Sequence, residues 1–161
     1  MRIKRIFILF IIFCSYNALF ADPAPGFDNY VDFEISMKEL DSHVKSGNLD
    51  SIKNKYLILN GSFVGFSVVD NNASTFTVEI ELINGEWQGI TDVFMYRAII
   101  IFSGREYQAM FPEGRRSSSA SSEVQTNSGL IVVARLKETR VFEGEVIPVL
   151  YGYYLRVFKS G

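Results

Sequence analysis

From residue 76 to residue 82 the chain alternates without a break. Phe76, Val78, Ile80 and Leu82 are apolar, and Thr77, Glu79 and Glu81 between them are polar. A two-residue period puts the apolar set on one face of a β-strand and the polar set on the other, whereas a helix would scatter both around its axis. The segment therefore predicts a strand with one buried and one wet face. It lies in a series of similar stretches. Residues 56–69 read as one long strand containing Gly61 and Gly65, and interior glycines mark a bulge or a sharp bend. Asn84-Gly85 is the preferred dipeptide of a two-residue hairpin turn, which predicts a partner strand from about Trp87 to Phe102. Residues 93–102 are apolar on both faces except at Arg97, which predicts cover on both sides. Residues 129–136 and 148–158 read as two further strands, with residues 138–146 as a polar connection between them.

One helix is predicted ahead of the strands. Ser36 followed three residues later by Glu39 has capping-box spacing. Met37, Leu40 and Val44 recur at helical spacing, and Gly47 stands where a glycine ends a helix. Residues 105–128 differ from everything around them. They hold Pro112, Gly114 and the run Ser117-Ser118-Ser119-Ala120-Ser121-Ser122, which predicts a mobile loop.

The start of the chain predicts export. Arg2, Lys4 and Arg5 precede an apolar run over residues 6–13, and Ala18-Leu19-Phe20-Ala21 offers a small residue at a cleavage edge. This is the layout of a secretory signal peptide over residues 1–21, and it implies a periplasmic or secreted protein with no membrane span after cleavage. The apolar run is short of the ~20 residues a spanning helix needs. A lipid anchor on Cys14 is disfavoured by the bulky Phe13 before it. The expected division is a signal peptide at 1–21, a linker and helix at 22–54, and a β domain at 55–161.

Cys14 is the only cysteine, so the chain beyond the leader has no disulfide, no thiolate metal site and no cysteine nucleophile. Taking the three basic residues of the leader from a total of 16 leaves 13 Lys+Arg against 18 Asp+Glu, a formal charge of −5. That balance argues against nucleic acid as a partner, because such affinity comes largely from neutralising phosphates.

The order of elements is a helix-bearing lead, a long glycine-kinked strand, a hairpin, an insert and two final strands. With Leu59-Asn60-Gly61-Ser62-Phe63-Val64-Gly65 in the first strand and Gly129-Leu130-Ile131-Val132-Val133-Ala134-Arg135 in the fourth, it resembles an OB fold. More narrowly, it is similar to small secreted bacterial OB domains of the tRNA-anticodon-binding type. The resemblance implies a mainly β protein, a five-stranded OB-like barrel with a short N-terminal helix. It further implies that the third strand neighbours the second and the fifth, and the fifth the fourth.

No residue set points to catalysis, a metal or a cofactor. His43 is the only histidine and reads as an exposed helix residue. Glu79 and Glu81 share one strand face, where paired carboxylates can act in glycoside hydrolysis, but a solvated face is the simpler reading. Arg97, Arg135 and Arg156 fall one in each of the last three strands. They form either a salt-bridge lattice with Glu79 and Glu81 or a basic stripe for an anion or sugar acid. Trp87 and Tyr96 are aromatics of the kind that stack on rings, but a β core uses such residues just as well and core packing is the default reading. The expected function is a non-enzymatic, exported binding module for a small ligand, an oligosaccharide or an envelope protein. An envelope structural or assembly role is the alternative, and a hydrolase stands last.

Overall fold

A computed structural model of the chain describes residues 30–112 and 123–158. The predicted signal peptide and the serine run lie outside the described residues. In chain order the elements are β1 (Val31–Asp32), α1 (Met37–Ser46), β2 (Tyr56–Asp70), β3 (Thr77–Gln88), β4 (Asp92–Ser103), a 3-10 turn (Arg105–Tyr107), β5 (Gly129–Phe142) and β6 (Glu145–Phe158).

The pairings follow a ring. β2 pairs with β3, β3 with β4, β4 with β6 in parallel, β6 with β5, and β5 returns to β2. This is the OB strand order, and the fold is OB-like. β2 serves both sides of the ring because it bends. Residues 57–62 pair with β5, and residues 62–70 pair with β3. The bend falls on the glycines the sequence singled out. A Cβ on Gly61 would sit 2.5 Å from the Ile83 carbonyl oxygen, and the register shifts between Phe63 and Gly65. The inward side chains, among them Leu57, Phe63, Val78, Ile80, Ile100, Phe102, Leu130 and Val132, form the main core.

The helix forms as its sequence predicts. The Glu39 backbone N–H donates to Ser36 Oγ (3.4 Å), and the Ser36 N–H donates to Glu39 Oε2 (3.1 Å). Gly47 closes the helix at φ 72°. Met37 and Leu40 join the main core. His43 is not an exposed residue as expected. It is half-buried, and Nδ1 lies 2.9 Å from the Asn48 carbonyl oxygen just past the helix end. Because the cap satisfies backbone groups that would otherwise be orphaned, Ser36→Ala is expected to lower stability by about 0.5–2 kcal/mol, read as the shift in urea midpoint.

Four other expectations are corrected. Asn84-Gly85 is no turn. Both residues lie within β3, opposite Tyr96 and Met95, and the chain reverses at Gly89, which has φ 73°. Gly85 has a different use, since a Cβ there would meet Met95 Sδ at 3.2 Å. Residues 138–146 are not a connection. β5 runs to Phe142, and Glu143-Gly144, with φ 52° and 87°, make a two-residue hairpin turn into β6. Positive φ at both central residues suits the right-handed twist of the flanking strands. In β4 only residues 98–102 are covered on both faces. Val93, Phe94 and Met95 are exposed, because the hairpin runs past the pairings of β3 with β2 and of β4 with β6. Last, residues 105–128 are not loop throughout. Phe111 and Val124, on either side of the serine run, are buried in the main core, and the Val124 N–H bonds to the Met110 carbonyl.

Candidate functional site

The residues picked from the sequence separate onto two outward faces and one inward one. Tyr96 is the inward one. It is 8% exposed, and its hydroxyl donates to Glu86 Oε2 at 3.4 Å. It is a core residue with a satisfied hydroxyl rather than a stacking surface.

Glu79, Glu81, Arg97 and Trp87 share the outer face of β3 and β4. Here the β5–β6 hairpin folds over the sheet and buries a small second core of Ile99, Ile101, Ile147 and Val149, with Phe142 packed against it. Ion pairs fasten the hairpin down. Arg140 grips Glu79 through both carboxylate oxygens (2.8 and 2.9 Å). Arg97 Nε is 2.8 Å from Glu81 Oε1, its Nη1 is 2.7 Å from Glu143 Oε2, and its guanidinium lies over the Phe142 ring. The expected meeting of Arg97 with these carboxylates thus holds for Glu81 and not for Glu79. Arg140 takes Glu79, and nothing in the sequence marked Arg140. A cleft of about 310 Å³ opens beside these groups. Both arginines are already held by three carboxylates, so an anion entering it would have to displace one.

The Arg140 hydrogen bonds hold the Glu79 carboxyl below its ordinary value of 4.5, against the upward push of burial. A depressed carboxylate contributes stability that is complete above its unfolded pKa and is lost as pH falls through the folded value. The wild-type urea midpoint is therefore expected to fall below about pH 4.5 more steeply than that of Glu79→Gln. Parallel curves would mean that the pair does not form in solution.

Arg135 and Arg156 lie on the outer face of β5 and β6. The register groups this face in rows. Asn60, Ile131 and Arg156 form one row, Ile58, Val133 and Tyr154 the next, and Arg135 stands opposite Tyr151. Neither arginine has an ion-pair partner among the described residues. Residues 131–137 and 150–158 contain no acidic residue, while they hold Arg135, Lys137, Arg156, Tyr151, Tyr153, Tyr154 and Phe158. The rings are open to solvent, Tyr154 at 53% and Tyr153 at 48%. Tyr56 packs edge-on against Tyr153 with ring centroids 5.0 Å apart, and Lys137 Nζ sits 5.4 Å from the Tyr151 ring centre. Exposed rings beside uncommitted guanidiniums are the elements of a surface that stacks planar groups and pairs anions.

No protein-family model and no curated protein matches the chain. Among solved structures it is similar to a small single-stranded DNA-binding protein from Streptomyces coelicolor. The identity is 14% and the TM-score 0.42, over 64% of this chain and 93% of that one. It is also similar to OB4 of the yeast telomere protein Cdc13, at 13% identity and TM-score 0.37, over 79% of this chain and 87% of that one. The likeness is to the OB fold at large and does not single out the anticodon-binding group or a secreted one. It corrects one expectation. The acidic balance argued against nucleic acid, yet a single-stranded DNA-binding protein stands among the similar structures. The physical reason is that net charge sums over the whole chain, whereas exposed charges interact mostly within about 10 Å in salt. Residues 131–137 and 150–158 carry no acid of their own, although Glu138 pairs with Lys137 at the edge of this face and Glu34 stands at its end.

Proposed function

We propose that the protein is an exported, non-enzymatic OB-like binding module that takes a single-stranded nucleic acid across the outer face of β5 and β6. The observation that carries this reading is the pair Arg135 and Arg156, without carboxylate partners among the described residues, set among exposed Tyr151, Tyr153, Tyr154 and Phe158. Bases stack on the rings and phosphates meet the guanidiniums, a combination that tolerates many sequences. The β3–β4 face is a weaker candidate because its arginines are committed to the β5–β6 hairpin. Titration of a dye-labelled oligothymidylate with purified protein, followed by anisotropy at several salt concentrations, tests the reading. Saturable binding that weakens with salt is the expected result. Binding of an acidic oligosaccharide in place of the oligonucleotide would overturn it.

A second reading has its own observation. On the β3–β4 hairpin Ile90 is 95% exposed and Trp87 69%, with Val93 and Met95 open beside them. Contiguous exposed apolar side chains mark contact surfaces. An envelope assembly role through this hairpin would be supported by one stoichiometric partner pulled down by the wild type and lost with Trp87→Ser.

A further inference from the structure

A second cleft, of about 410 Å³, lies at the end of the same β5–β6 face, between the segment that follows β1 and the end of β6. Ile58 and Asn60 of β2 line it together with Ile131 and Phe158, and Glu34 and Ile35 stand on the opposite side. Phe158 can lie across β5 because its cross-strand neighbour is Gly129. A Cβ on that glycine would run into the Phe158 ring. The lining is mostly apolar and is polar at Glu34, Ser36 and Asn60, of which the Ser36 hydroxyl is already engaged in the helix cap. Among the described residues neither the Asn60 side-chain amide nor the Glu34 carboxylate has a hydrogen-bond partner. The Asn60 backbone is fixed, its carbonyl accepting from Asn84 Nδ2 at 3.2 Å.

We infer that this cleft receives one nucleobase of the bound strand and selects bases that carry an exocyclic amino group. The inference rests on the single-strand reading of the β5–β6 face. A phosphate is excluded from the cleft by the Glu34 carboxylate, and Arg156, in the same row as Asn60 and Ile131, takes the phosphate at the rim. The apolar sides take the faces of a planar ring. The two polar groups read its edge. A carboxylate only accepts, and an amide both donates and accepts. Adenine, with its amino donor beside N7, matches an asparagine amide in the bidentate manner, and the second amino hydrogen is left for Glu34. Thymine and uracil have no amino group and leave the carboxylate unsatisfied. A site built to hydrogen-bond a group rejects the analogue that lacks it.

The test compares oligothymidylate with the same strand carrying one central adenosine, using purified protein and anisotropy. The wild type is expected to prefer the adenosine strand by about tenfold or more. Asn60→Leu should bring the two affinities within about twofold, because the amide that reads the amino-bearing edge is gone. Glu34→Gln, on an exposed turn, should reduce the preference in the same direction. Equal wild-type affinities, with both strands weakened by Arg156→Ser, would overturn the base cleft and leave the binding face standing. Absence of binding to either strand would overturn both.

Discussion

Ile80→Ala is expected to lower the stability of the protein by about 2–5 kcal/mol, against about 1 kcal/mol or less for Glu79→Ala one position earlier. The two residues sit on opposite faces of β3. Ile80 is 1% exposed and belongs to the main core, where its truncation leaves a cavity among close-packed neighbours. The Glu79 side chain is 24% exposed, and its removal frees Arg140, which can reach water. Urea denaturation midpoints of the two single variants decide the matter. If Glu79→Ala were the more damaging, the second core beneath the β5–β6 hairpin would depend on the Glu79–Arg140 clamp more than the barrel depends on its own interior.

Much of this architecture is legible in the chain. The 76–82 alternation names both the buried and the wet face of β3, and Ser36, Glu39 and Gly47 delimit α1. Gly61 and Gly65 mark the bend that lets β2 pair on both sides. The turns were harder, for a local reason. Asn84-Gly85 has strong turn chemistry, but the strand register carries it through, since Gly85 leaves room for Met95 across the pair. Glu143-Gly144 has weaker chemistry inside a polar stretch and makes a real hairpin. Turn propensity competes with the pairing of the flanking strands, and a sequence displays only the first.

The site was legible in part, and the missing part is long-range. The sequence marks Arg135 and Arg156 as one arginine per strand. It does not show that Arg97 is neutralised, because Glu143 approaches only after the β5–β6 hairpin folds over β4. Arg140 lies 61 residues from Glu79 and meets it for the same reason. Asn60 and Glu34 carried no signal at all. Asn60 was one residue of a kinked strand, and the cleft it lines exists only once β2 has paired with β5 and the lead has returned over the sheet. Composition misled about partners in the same way, since a formal charge of −5 says nothing about a face on which Arg135 and Arg156 have no ion-pair partner among the described residues.

Exchange of Arg135 and Arg156 for serine is expected to weaken single-strand binding by about tenfold at physiological salt and to flatten its salt dependence. On single strands each neutralised phosphate contributes about 0.7 to the slope of log K against log salt, so loss of two contacts should reduce that slope by about 1.4. Tyr154→Ala should act differently. Stacking of a base is worth about 1–3 kcal/mol, so affinity should fall by roughly 5- to 150-fold with the salt slope unchanged. The contrast matters because a general loss of structure would lower affinity without sorting the two variants by salt. Both arginines lie outside the main core on outward-facing strand positions, so neither change opens a cavity. Far-ultraviolet circular dichroism checks that both proteins are folded, and anisotropy from 50 to 300 mM salt (on the order of a sixfold range) gives the slopes. Should the double arginine variant keep the wild-type slope, phosphates do not meet the β5–β6 face, and the ion-paired β3–β4 face with its Trp87 hairpin would become the surface to map.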